Sequence, residues 1–153
     1  MKALRANDIE PVSRCGYPEP FRSRVMPREK RALGDAFGLA GIGVNLTTLA
    51  PGKESSMRHW HTREDEFVYV LEGEIVLRSD DGEQVLGPGM FAGFRAGSAD
   101  AHQLVNRSGE PAVYLEISNR DPSCVPTYPD DDLAYGDAPG GGKAYLHKDG
   151  APY

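Results

Sequence analysis

The chain holds four histidines, and three of them stand where they could share a cation. His59 and His61 flank Trp60. In an extended strand, side chains two residues apart project to the same side, so both imidazoles reach toward one point while Trp60 turns away. Glu66 follows His61 by five residues and opens an apolar run. A tight turn through 62–65 brings the chain back antiparallel and sets the Glu66 carboxylate beside the imidazoles. His102 begins a later strand in which His102, Leu104 and Asn106 share a face. Three imidazoles and one carboxylate suit a divalent transition metal such as zinc, iron, manganese or nickel. One metal per chain is therefore expected, held by His59, His61, Glu66 and His102. Such sites often leave one or two coordination positions for water or substrate, whereas a structural zinc site would more often use cysteines and be closed.

The other chemically able residues read as bystanders. His147, in a glycine-rich stretch, is expected to be an exposed histidine. Glu64 and Asp65 are placed on the solvated turn before Glu66, and Trp60 is read as packing. The acidic run 130–132 reads as a solvated surface. Arg95 either holds its loop or faces a ligand's carboxylate or phosphate. No Ser-His-Asp order, phosphate-binding glycine loop or nucleotide fingerprint occurs, so no catalytic residue is assigned.

The elements that must position these groups are short strands. Ile42 to Ala50 alternates, with Ile42, Val44, Leu46 and Thr48 on one face. Further strands are expected at 66–72, 74–78, 83–86, 90–94, 102–106 and 112–118, with a hairpin turn at Asp80-Asp81-Gly82. Seven or eight strands spaced by roughly 8–12 residues are the pattern of a sandwich or barrel. Residues 29–36 are expected to form a short helical turn ended by Gly34 or Gly38. The chain divides into an N-terminal arm (1–40), a β-barrel (41–118) and an irregular C-terminal tail (119–153) that wraps the barrel. In the strand at 66–72, Phe67, Tyr69 and Leu71 point one way and Val68 and Val70 the other. Both faces are apolar, so one lines the barrel and the other needs a cover: the N-terminal arm, the C-terminal tail or a second subunit. A homodimer through that face is expected.

Composition bounds the function. The 153 residues suit one domain, and 18 Gly with 12 Pro favour strands and turns over long helices. A net charge of −6 with scattered basic residues argues against nucleic-acid binding. The first twenty residues carry Arg5, Asp8, Glu10, Pro11 and Arg14 without an apolar run. No secretory signal and no membrane span are expected, and a cytoplasmic protein with Cys15 and Cys124 as free thiols follows.

Two stretches resemble the cupin superfamily. The family's first motif runs Gly, five residues, His-x-His, three or four residues, Glu, six residues, Gly; here it reads Gly52, His59-Trp60-His61, Glu66, Gly73. The second runs Gly, five residues, Pro-x-Gly, two residues, His, three residues, Asn; here it reads Gly89, Arg95-Ala96-Gly97, His102, Asn106. Six residues separate Gly52 from His59, Arg95 replaces the usual proline, and the loop 98–101 before His102 is two residues longer. The resemblance covers about residues 44–118 and implies an all-β antiparallel jelly-roll barrel with the metal inside, bound by His59, His61, Glu66 and His102. It further implies a small-molecule substrate. The Arg58-His59-Trp60-His61 stretch with Glu64-Asp65-Glu66-Phe67 looks like a subgroup labelled as sugar-phosphate isomerases. Two readings follow: a metal-dependent enzyme (isomerase, dioxygenase, decarboxylase or lyase) on a sugar phosphate, sugar acid or keto acid, or a non-catalytic small-molecule binding or sensing barrel in which the metal is structural or grips the ligand.

Overall fold

A computed structural model describes residues 2–153. Along them run twelve strands: β1 (Arg28–Ala32), β2 (Ile42–Leu49), β3 (Trp60–His61), β4 (Glu66–Glu72), β5 (Ile75–Ser79), β6 (Gly82–Leu86), β7 (Phe91–Phe94), β8 (Gln103–Val105), β9 (Ala112–Asn119), β10 (Pro126–Thr127), β11 (Ala134–Asp137) and β12 (Lys143–Leu146). A five-stranded sheet in the order β1-β2-β9-β4-β7 packs on a three-stranded sheet in the order β6-β5-β8, and every pairing is antiparallel. This is the expected all-β jelly-roll barrel.

Alternation along the strands decides what the barrel encloses. Val68 and Val70 of β4, Ala112 and Tyr114 of β9 and Leu49 of β2 point inward from the large sheet. Ile75, Leu86 and Leu104 meet them from the small sheet. Each such aliphatic side chain contributes roughly 1.5–3 kcal/mol by leaving water. On β2 the inward face also carries Asn45 and Thr47, while Val44, Leu46 and Thr48 take the other side, half-buried. The barrel interior is therefore apolar over one part and polar over another.

The arm and the tail complete this frame. Of the helical turn expected over 29–36, residues 29–32 instead belong to β1, which is extended and pairs with β2, Lys30 opposite Thr47. The backbone of β2 offers an open edge, and pairing with it outweighs the local helical preference of the charged run. The helical turn shrinks to Asp35–Phe37, closed by Gly38. In the tail, β10 pairs with β3, and β11 and β12 form a hairpin whose turn contains the three glycines 140–142. Tyr17, Phe21 and Val25 of the arm, Met57, and Tyr128 and Leu133 of the tail make a second buried cluster. The acidic run is not merely solvated. Asp130 pairs with Arg58, Asp131 pairs with Arg24 at 3.1 Å, and Asp132 accepts the Lys148 backbone N–H at 2.8 Å. The first ties the tail to the barrel, the second ties it to the arm, and the third closes the tail on itself.

Gly73 turns the chain between β4 and β5 with φ of +74°, and a Cβ there would lie 2.6 Å from the Pro111 carbonyl oxygen. Gly73→Ala is expected to lower unfolding free energy by about 1–3 kcal/mol. Chemical denaturation checks this, and an unchanged midpoint would contradict the packing described.

Candidate metal centre

Four backbone segments deliver the four predicted side chains to one wall of the barrel. His59 and His102 face each other as an antiparallel pair that exchanges both backbone hydrogen bonds: His59 N–H donates to His102 O at 3.0 Å and His102 N–H to His59 O at 2.8 Å. The longer 98–101 loop is absorbed before this pairing, with Gly97 N–H bonded to the His61 carbonyl at 2.8 Å. His61 lies in β3, where β10 pairs with it. Glu66 opens β4 between Phe94 of β7 and Ser118 of β9.

The side-chain atoms converge. His59 Nε2 lies 3.1 Å from His61 Nε2, and Glu66 Oε2 lies 3.7 Å from the first and 3.6 Å from the second. Donor atoms that share a metal at about 2.0–2.2 Å must stand roughly 3–3.6 Å apart, so these three atoms fit one ion. His102 Nε2 is 2.7 Å from Glu66 Oε2, and its ring stacks on Phe94 with centroids 3.5 Å apart. In this arrangement His102 donates to the carboxylate that the other two imidazoles approach. The structure thus brings all four predicted residues together, with His102 joined through Glu66.

The surroundings set protonation. The His59 Nδ1–H donates to the Met57 carbonyl at 2.9 Å, which leaves the Nε2 lone pair for the cluster. Burial, and the neighbouring imidazoles with it, lowers the His59 pKa to about 4 against the opposing pull of Glu66. Burial pushes Glu66 up, but the hydrogen bond from His102 and the nearby imidazoles overcome it and hold the carboxyl at about 2. Near neutrality the cluster therefore offers a neutral His59 imidazole and an ionised carboxylate, the forms that bind metals.

Several residues stand elsewhere than their sequence context indicated. Glu64 is half-buried in the cavity wall, its Oε2 3.8 Å from His61 Nδ1. Cys124 Sγ lies 3.4 Å from the same nitrogen. The reason is the β3–β10 pairing, which folds the tail onto the turn that carries Glu64. Asp65 is exposed as expected and caps Ala96 N–H at 2.7 Å. Arg95 is exposed and outside the cavity, and Trp60 does not line it. His147 pairs with Asp132 at 2.7 Å, away from the cluster. Cys15 and Cys124 are free thiols.

The cluster opens on a cavity of about 420 Å³. Its aromatic wall is Tyr17, Tyr128 and Tyr145, with the Tyr17 and Tyr128 hydroxyls 3.3 Å apart. Burial raises the pKa of each far above the ordinary tyrosine value, so both stay protonated. Arg28 and Lys30 reach in from β1. None of these was singled out from the sequence. The alternation of Arg28 and Lys30 with outward Glu29 was the available signal for the last two.

Fold and site agree with what the chain resembles. Residues 45–118 match the cupin domain family. A sugar phosphate isomerase of a cupin superfamily from Silicibacter pomeroyi shares 40% identity, with a TM-score of 0.90 over 99% of this chain and 96% of that one. An Acidithiobacillus ferrooxidans protein provisionally named a sugar phosphate isomerase shares 34% identity, with a TM-score of 0.70 over 78% of this chain and 76% of that one. The polyketide cyclase RemF of Streptomyces resistomycificus, at 20% identity and TM-score 0.65 over 81% and 83%, shares the fold. No curated protein matches. The chain belongs to the cupin superfamily.

The pKa shifts give a pH dependence with a definite sign. His59 titrates at about 4 when folded against 6.5 ordinarily, so the unfolded chain takes up its proton first as pH falls. Glu66, at about 2 against 4.5, adds a further loss at lower pH. The metal-free protein is expected to lose stability from about pH 6.5 downward, with the part between about pH 6.5 and 4 reduced in His59→Asn. Denaturation midpoints across that range check this. A flat profile would contradict the buried neutral imidazole.

Proposed function

We propose that this protein is a metal-dependent enzyme that isomerises a small polar metabolite, with one divalent ion held by His59, His61, Glu66 and His102. The observation that carries the reading is the convergence of these four side chains on an open cavity large enough for a sugar-sized molecule. The names of the two relatives at 40% and 34% identity favour sugar phosphates over sugar acids and keto acids, and isomerisation over oxygenation, decarboxylation or elimination.

A bound divalent ion would supply Lewis-acid polarisation of a substrate oxygen. The protein's own residues do the rest. Met57 and Ser56 fix the His59 ring through Nδ1, and Phe94 fixes the His102 ring by stacking. Glu64 and Cys124 stand at the far nitrogen of His61 and hold its Nε2 toward the cluster. Of the paired Tyr17 and Tyr128 hydroxyls, both kept protonated by burial, one donates to the other, and the second has its proton for a substrate oxygen in the cavity. Free thiols at Cys15 and Cys124, both on the cavity wall, fit a reducing cytoplasm.

Elemental analysis of untagged protein is expected to find close to one metal per chain, and His59→Ala or His61→Ala to lose it. Full retention in both would refute the ligand set. Turnover of a panel of aldose and ketose phosphates, followed by proton NMR with metal-stripped and reloaded protein, tests the reaction. Metal-dependent interconversion is expected. Binding of panel members without turnover would instead support a non-catalytic small-molecule barrel.

We further propose a homodimer through the outer face of β4 and β7, where Phe67, Leu71 and Phe91 are exposed and Phe67 stacks on Phe91. Light scattering is expected to give twice the chain mass for the native protein and the single mass for Phe91→Glu. A native monomer at micromolar concentration would exclude this cover.

A further inference from the structure

The cavity has a second polar end that the metal cluster does not use. Arg28 and Lys30 project into it from the edge strand β1, two residues apart and so on one face. Their surroundings differ. Lys30 Nζ pairs with Glu116 Oε1 at 2.6 Å, and Thr47 donates to the other oxygen of that carboxylate at 2.6 Å. Each oxygen of Glu116 thereby already has a donor. Arg28 forms no ion pair among the described residues. Its Nη1 donates to the Ser55 carbonyl, while its Nε is buried and donates to nothing. The Tyr114 hydroxyl, on the same cavity wall, is also buried; it lies beside the Glu116 carboxylate but makes no well-formed hydrogen bond to it.

A buried N–H left unpaired and a hydroxyl held only loosely cost free energy, and a guanidinium without a counter-charge costs more. Water can satisfy the hydrogen bonds but not the charge. The other carboxylates on the wall are taken: Glu66 by His102 at 2.7 Å and Glu64 by the Asp121 backbone N–H at 2.9 Å. The edge of the guanidinium that carries Nε is the edge that grips a carboxylate or phosphate through two parallel hydrogen bonds. Tyr114 stays protonated, because burial and the Glu116 carboxylate both raise its pKa. It is a donor at any working pH. The charge balance points the same way. Arg14, Arg28 and Lys30 offset Glu64, Glu66 and Glu116 on the cavity wall, so a divalent ion at the cluster would leave an excess of positive charge for a ligand to neutralise.

We propose that Arg28 and Tyr114 form an anion subsite that holds the carboxylate or phosphate of the metabolite while its other end faces the histidine cluster. This rests on the reading of the cavity as a small-metabolite site. It makes the ligand an anion, and it orients that anion with its charged group toward β1 and its reacting oxygens toward Glu66 and the imidazoles.

The test uses metal-stripped protein, so that a failure of the metal or of turnover is not mistaken for a failure of the subsite. Isothermal titration is carried out with inorganic phosphate, with glycolate and with uncharged glycerol. At least one anion is expected to bind, and glycerol not to bind. Preference for phosphate assigns a phosphorylated metabolite, and preference for glycolate an organic acid. Arg28→Gln is expected to weaken the preferred anion about tenfold or more, and Tyr114→Phe by a smaller factor. Arg95→Gln, outside the cavity, is expected to bind like the native protein. Should Arg28→Gln fail to fold, Arg28→Lys, which keeps the charge and loses the fork, replaces it with the same direction expected. The proposal is overturned if native protein binds neither anion, or if the Arg28 and Tyr114 variants bind as tightly as native.

Discussion

The pairing of His59 with His102 is the constraint on which the site depends. The two residues are 43 positions apart, yet they exchange both backbone hydrogen bonds and so present their imidazoles side by side. The pairing closes the barrel at the point where the segment before β3 meets the segment before β8. Once it forms, Glu66 is reached from His61 through one turn, and Phe94 lies beneath the His102 ring. The donor geometry of His59, His61 and Glu66 thus follows from backbone hydrogen bonding, and His102 needs only to exchange its hydrogen bond to Glu66 for the ion. Preorganisation of this kind lowers the cost of gathering several donors around one ion.

The barrel's interior is divided between packing and chemistry. Leu49, Val68, Val70, Ile75, Leu86 and Leu104 give the cohesion that fixes the sheets. Burial near them makes the charged groups on the remaining wall strongly dependent on their partners. The effect has opposite signs at neighbouring residues. His59 is kept neutral by burial, Glu66 is kept ionised by the imidazoles and the His102 hydrogen bond, and the tyrosines are kept protonated. One cavity thereby holds groups able to bind a metal, and hydrogen-bond donors, in suitable protonation states at the same pH.

The barrel and the four converging side chains were legible in the sequence because both rest on short-range periodicity. Two-residue alternation around Trp60 and along 66–72 places side chains on faces, and turn residues divide the strands. What the sequence withheld depends on long-range pairing. The stretch from Glu29 to Ala32 looks helical because its charges suit a helix surface, and only the open edge of β2 makes it a strand. Glu64 looks solvated until β10 pairs with β3 and brings Cys124 to the same imidazole nitrogen. The acidic run 130–132 looks like a surface because its partners, Arg24 and Arg58, lie more than seventy residues away. The aromatic wall and the Arg28–Tyr114 end of the cavity were hidden for the same reason. Each needs the arm and the tail to be folded against the barrel first.

The central claim is that the four side chains share one metal ion. Anomalous diffraction from a crystal grown with manganese or zinc, measured on both sides of the metal's absorption edge, tests it most directly. The account predicts one strong peak inside the cavity, at about 2.0–2.2 Å from His59 Nε2, His61 Nε2, the Glu66 carboxylate and His102 Nε2. A cavity without a peak, or a sole peak elsewhere such as at His147 and Asp132, would contradict it.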